Sequence, residues 1–231
     1  MTNLIFNEIH ASILKFTRKA GRSDSDKVHL LAVSKKKKID AIHELYIIGQ
    51  RHFGENYLQE ALEKQDAFRH KKLCQDIHWH FIGPIQSNKT RAIAENFSWV
   101  HSVDRLKIAQ RLSNQRPPHL GALQICLQVN IDEEQSKSGA LPKESIQLAQ
   151  TLLTLPRVKL RGLMVIPSKN DTKDAFARTQ ALFKEIKSNI DEKHQKHFDT
   201  LSMGMSSDYE DAIAHGATII RIGTLLFGER G

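Results

Sequence analysis

Lys35 follows the apolar run Leu30, Leu31, Ala32 and Val33 after a single serine, Ser34, and it opens a run of four lysines, Lys35 to Lys38. A lysine at a strand end, with its stem in an apolar wall, is partly desolvated. Desolvation disfavours the ammonium form and lowers the pKa. A neutral amine attacks aldehydes, and Schiff-base lysines are made in this way. The competing reading is a solvated basic loop, because charge runs usually face water. Position separates the four: Lys35 continues the strand, whereas Lys36, Lys37 and Lys38 point outward and add positive potential.

Two glycine and hydroxyl clusters stand later in the chain. Ser202, Gly204 and Ser206 form one, and Gly223 with Thr224 forms the other. Glycine lets backbone N–H groups approach an anion, and hydroxyls donate further hydrogen bonds, so the pair fits a phosphate. The alternative is that Ser206 or Ser207 simply caps the helix beginning near Asp208. Arg221 is the odd residue among Ile219, Ile220 and Ile222. A strand alternates its faces, so an inward arginine there needs a buried acceptor or an anionic ligand, and a structural ion pair with an acidic neighbour is the plainer alternative. His80 reads as a pocket residue or a hydrogen-bonded core histidine. Asn56 and Asn130 read as turn residues or ligand contacts.

The elements that must position these residues repeat as strand then helix. Apolar runs span 28–34, 51–54, 77–82, 99–103, 122–130, 158–164, 198–202 and 218–222. Helical patterns span 39–49, 57–69, 89–97, 105–115, 143–155, 174–190 and 209–215. That alternation implies parallel strands with right-handed crossovers, and eight strands close a (β/α)8 TIM barrel. An open doubly wound sheet is the runner-up. Ile5, Ile9, Ile13 and Phe16 recur at helical spacing and predict an extra amphipathic N-terminal helix packed on the barrel. In such barrels the site lies at the carboxyl ends of the strands. Lys35, Asn56, Met164, Ser206, Gly223 and Thr224 all fall at or just after a strand end.

Composition narrows the function classes. The chain has 231 residues, 40% hydrophobic and 6% aromatic, which suits one barrel domain spanning 1–231 with an aliphatic core. Cys74 and Cys126 lie far apart and fit no metal-ligand spacing, so free thiols in a reducing cytoplasm are expected. No apolar run reaches the ~20 residues of a membrane span. The net charge of +8 and pI near 9.5 favour anionic partners. Much of the remaining charge is scattered, though, and no interleaved aromatic and basic pattern marks a nucleic-acid surface. A monomer is expected, because no exposed apolar stripe stands out.

The same residues carry a family resemblance over nearly the whole chain. The segments are Leu31-Ala32-Val33-Ser34-Lys35, His52-Phe53-Gly54-Glu55-Asn56-Tyr57, and the run from His78-Trp79-His80-Phe81 through Gly83-Pro84-Ile85-Gln86-Ser87-Asn88-Lys89. Gln135-Ser136-Lys137-Ser138-Gly139, Arg161-Gly162-Leu163-Met164, Leu201-Ser202-Met203-Gly204-Met205-Ser206 and Arg221-Ile222-Gly223-Thr224 follow. In these the chain resembles the YggS/PROSC family of pyridoxal phosphate homeostasis proteins. The resemblance implies a barrel of the alanine-racemase N-terminal-domain type, PLP fold type III, with pyridoxal 5′-phosphate (PLP) held as an imine on Lys35. It also implies that Ser202, Ser206, Gly223 and Thr224 hold the phosphate, that Arg221 lies near the pyridine nitrogen, and that Asn56, His80 and Met164 line the pocket. The chain departs from the family where Lys36, Lys37 and Lys38 replace a threonine and, two further on, a proline.

An arginine at the ring nitrogen resists protonation there and makes the ring a poorer electron sink. Racemases of this resemblance take a second catalytic group from an added β-domain, and about seven residues follow Thr224. The expectation is therefore a cytoplasmic carrier that buffers PLP or delivers it to PLP-dependent apoenzymes, not an enzyme. An amino-acid racemase is the alternative.

Overall fold

The computed structural model describes residues 2–23, 26–168 and 171–228. Strands β1 (His29–Val33), β2 (His52–Glu55), β3 (His78–Phe81), β4 (Trp99–Val103), β5 (Leu123–Val129), β6 (Val158–Val165), β7 (Thr200–Met205) and β8 (Ile219–Ile222) form a closed barrel in chain order. Every neighbouring pair is parallel, and β8 returns to β1 with Arg221 opposite Leu31. The helices are α1 (Thr2–Lys19), α2 (Ile39–Ile47), α3 (Leu58–His70), α4 (Thr90–Asn96), α5 (Leu106–Gln115), α6 (Pro142–Leu152), α7 (Thr172–Ser188), α8 (Glu192–Gln195), α9 (Tyr209–Ala214) and α10 (Thr224–Phe227).

Strands covered on both faces must be apolar on both faces. β1 meets this requirement, with the successive residues Leu30, Leu31 and Ala32 all buried. The helices need only one apolar stripe. α5 buries Ile108, Ala109 and Leu112 while Lys107 and Gln110 face water. The main core therefore lies between strands and helices, and the lumen is left for a few polar side chains. α1 packs on α9 and α10, burying Phe6, Ile9 and Ile13, with Ser12 Oγ 2.8 Å from the Tyr209 hydroxyl. Phe6 is buried beside Ile9 and Ile13, and Ile5 and Phe16 are only partly covered. No helix among the described residues is long and apolar enough to cross a membrane.

Two departures from the sequence pattern bear on the site. β7 runs on to Met205, so Ser202 and Gly204 lie within the strand rather than in a loop. Gly204 has φ +91°, and a Cβ there would stand 2.6 Å from Ala212 Cβ of α9, so a glycine lets strand and helix touch. The short α10, with too few residues for a periodic signal, begins directly after Gly223.

Candidate functional site

Beyond the end of β1 the chain turns sharply, with Lys37 N–H donating to the Ser34 carbonyl at 3.0 Å and Lys36 at φ +60°. A buried network braces this turn from outside the barrel. Ser34 Oγ donates to Glu55 Oε1 at 2.7 Å, and Lys64 Nζ reaches Glu55 Oε1 (2.7 Å), Glu60 Oε1 (2.6 Å) and the Ser34 carbonyl (2.8 Å). The Lys36 N–H donates to the same Glu60 carboxylate. Burial pushes the Glu55 carboxyl up, and Lys64 and Ser34 oppose that push. Contrary to the outward reading of the lysine run, Lys37 turns back. Its ammonium donates to the carbonyls of Phe227 (3.1 Å) and Gly228 (3.2 Å), tying the first loop to the end of α10.

Inside this turn, at the carboxyl ends of the strands, lies a cavity of about 450 Å³, within the range of small-molecule sites. Seven of the nine expected residues line it: Lys35, Asn56, Met164, Ser206, Arg221, Gly223 and Thr224. Lys35 is half-buried. Gly83 packs so closely on Asn56 that a Cβ would lie 2.0 Å from its carbonyl oxygen, which fixes that wall. Asn56 Oδ1 is buried without a hydrogen-bond partner. Neither Ser206 nor Ser207 caps α9. The capping position is Asp208, whose carboxylate instead accepts from Met205 N–H at 2.6 Å. Thr224 opens α10, so its N–H has no intrahelical acceptor. Asn130 belongs to the next loop, where its amide donates to the Glu134 carbonyl at 2.8 Å.

Arg221 forms no ion pair among the described residues. Nη1 donates to the Ser202 carbonyl (2.6 Å) and hydroxyl (3.0 Å), and Nη2 to the Val165 carbonyl (2.9 Å). A guanidinium has five N–H groups. Three are used here, so Nε–H and one Nη2–H have no protein acceptor among the described residues. Burial pushes its pKa down to about 10, which still leaves a cation at neutral pH.

His80 and Ser202 do not line the cavity, contrary to the sequence reading. Both are buried in the lumen below it, in one hydrogen-bonded chain. His52 Nδ1 lies 3.0 Å from His80 Nε2, His80 Nδ1 lies 2.9 Å from His101 Nε2, and His101 Nδ1 lies 2.7 Å from Ser202 Oγ. Burial pushes His52 down to about 4, His101 to about 3, and His80 well below its ordinary value, so all three are neutral at physiological pH. Sequence reasoning missed His52 and His101. Their signal was a histidine at an inward position on each of three successive strands.

Residues 9–231 match the family model described as alanine racemase, N-terminal domain. A pyridoxal phosphate homeostasis protein of Pseudomonas aeruginosa is 52% identical over 227 residues, 96% of this chain and 93% of that one. The chain belongs to this family. PipY of Synechococcus elongatus PCC7942, solved with PLP bound, is 35% identical with a TM-score of 0.83, covering 99% of this chain and 100% of that one. Alanine racemase of Clostridium difficile 630 is 15% identical with a TM-score of 0.70, covering 94% of this chain and 56% of that one, and shares the fold. The cavity fits the group that the family implies. It offers an amine, a buried guanidinium with uncommitted donors, an orphaned amide oxygen, and a rim of hydroxyls and backbone N–H groups.

Proposed function

We propose that this chain binds PLP covalently through Lys35 and serves PLP homeostasis as a carrier. The observation that carries this is the convergence of Lys35 and Arg221 on one cavity whose rim is Ser206, Gly223 and Thr224. When bound, the cofactor supplies an aldehyde that condenses with amines and a ring that withdraws electrons. Lys35 Nζ would hold its aldehyde carbon. Ser206, Gly223 and Thr224 would hold its phosphate through hydroxyls and free N–H groups. The uncommitted Arg221 donors would meet the ring nitrogen. Because Arg221 is cationic and has no lone pair to offer, it disfavours a second proton on that nitrogen. Asn56 and Met164 would flank the ring. His80 and Ser202 act at one remove, by positioning Arg221.

The carrier reading rests on the chemistry of the lining. Among the described residues that line the cavity, Lys35 and Arg221 are the charged side chains, and Arg221 opposes the protonated ring that carbanion chemistry uses. The recipients would be PLP-dependent apoenzymes.

The test is an absorbance spectrum with added PLP, before and after borohydride, for the wild type and Lys35→Ala. A yellow band trapped by borohydride on the Lys35 peptide, and lost in the variant, is the expected result. A band unchanged in Lys35→Ala rules out this lysine. Incubation with L-amino acids separates carrier from racemase, and sustained formation of D-isomers overturns the carrier reading.

A further inference from the structure

The barrel has a second cavity, of about 430 Å³, at the opposite mouth, where the strands begin. Its floor is apolar, with Leu30, Leu31 and Ile219, and its rim carries Lys27, Arg161, Asp199 and His52. Arg161 sits 5.0 Å above the Trp99 ring and is clamped by Asp199 at 2.6 Å, so its position is set before any ligand arrives. Lys27 and Arg161 both act to lower the pKa of neighbouring His29, after burial itself, and Asp199 opposes them, so two cationic side chains face one carboxylate at this mouth.

The histidine chain has a direction that its chemistry dictates. Arg221 can only donate, so Ser202 Oγ accepts from it. The fully buried Ser202 hydroxyl needs an acceptor of its own, and His101 Nδ1, at 2.7 Å, is the one the described residues provide. Neutral His101 therefore carries its proton on Nε2 and donates to His80 Nδ1. By the same step His80 donates from Nε2 to His52 Nδ1. The proton of His52 is left on Nε2, which has no partner among the described residues, while its ring lines the lower cavity. The lower mouth thus presents a donor, not an acceptor. No group of three or more His, Cys, Asp or Glu side chains among the described residues is placed to hold a metal ion.

We propose that the amino-terminal mouth of the barrel is a second ligand site, for a short-chain organic carboxylate. Its oxygen accepts from His52 Nε2–H, its charge is balanced by Lys27, with Arg161 shared between the ligand and Asp199, and its carbon chain lies on Leu30, Leu31 and Ile219. Aligned hydrogen bonds polarise one another. Occupancy at this mouth is therefore felt along His52, His80, His101 and Ser202 as far as Arg221, in the wall of the upper cavity. The site stands on its own geometry and does not require the cofactor.

The test uses cofactor-free, 15N-labelled full-length protein titrated with sodium butyrate, followed through the imidazole and guanidinium signals. The expected result is a saturable shift at His52, His80 and Arg221, with no shift from the neutral isostere butyramide. His52→Phe should weaken butyrate binding roughly tenfold or more, the ordinary cost of a charge-assisted hydrogen bond. Lys27→Ala, at an exposed position that leaves the fold alone, should weaken it as well. In Ser202→Ala the His52 shift should remain and the Arg221 shift should vanish. A non-saturating titration, an equal response to butyramide, equal affinity for inorganic phosphate, or unchanged binding in Lys27→Ala overturns the site. An Arg221 shift that persists in Ser202→Ala overturns the transmission. Borohydride trapping at Lys35 is a separate measurement, so either result can fail without the other.

Discussion

Arg221 shows how a single buried cation is made tolerable in an aliphatic barrel. Its neighbours give it two carbonyls and one hydroxyl, and they leave two of its donors without a protein acceptor among the described residues. Ser202 is the pivot, because its one oxygen accepts from Arg221 and donates to His101. Ser202→Ala leaves His101 Nδ1 buried without a donor, which costs about 1–3 kcal/mol. The expected outcome is a lower urea midpoint with an unchanged slope, together with weaker PLP binding as Arg221 loses one of its anchors. An unaltered midpoint and affinity would show that the hydroxyl contributes nothing to the arrangement.

At the scale of elements, the turn that presents Lys35 depends on α3. Lys64 reaches from that helix to Glu55, Glu60 and the Ser34 carbonyl, and the side chains of Lys64 and Glu55 are 6% and 0% exposed. A buried pair adds little net stability, but removing one partner strands the other charge. Lys64→Met is therefore expected to destabilise the fold by about 3–5 kcal/mol. Adding Glu55→Gln, which removes the stranded charge, should restore part of the loss, and denaturant unfolding of the two variants measures it. The contact of β7 with α9 depends on Gly204 in the same way. Gly204→Ala forces a left-handed alanine against Ala212, and a loss of about 1–3 kcal/mol is expected. A thermal melt would read this as a lower midpoint.

For the molecule as a whole, the neutral imidazole chain makes stability depend on acid. His52 and His101 titrate at about 4 and about 3 in the folded protein, and His80 is displaced in the same direction. In the unfolded chain each histidine titrates near 6.5. Below that pH the unfolded state takes up protons that the folded state refuses. Stability is therefore full above about pH 6.5 and falls as pH drops toward the folded values, by about 1.4 kcal/mol per pH unit for each such histidine. Urea unfolding at steps between pH 7 and pH 4.5 should show this decline. A flat profile over that window would mean that the imidazoles are not held neutral.

The alternation of apolar runs and amphipathic stretches was sufficient to specify eight parallel strands, their crossover helices and the mouth at which Lys35 emerges, because burial on two faces and burial on one leave different periods in the sequence. The strand-end rule then assembled six of the seven cavity residues, since a barrel brings all its strand ends to one rim, and Arg221 stood out as the lone charge within an apolar strand. Local pattern could not determine the rotation and stagger of one strand against the next. In register, Gly54 stands beside His80 and His80 beside Trp99, so inward positions climb the lumen from strand to strand. That stagger, a property of barrel closure, takes His80 and Ser202 out of the cavity and threads them with His52 and His101 beneath Arg221. Closure, by setting β8 beside β1, also brings Lys37 to the carbonyls at the end of α10, a partner about 190 residues away that no spacing rule reaches.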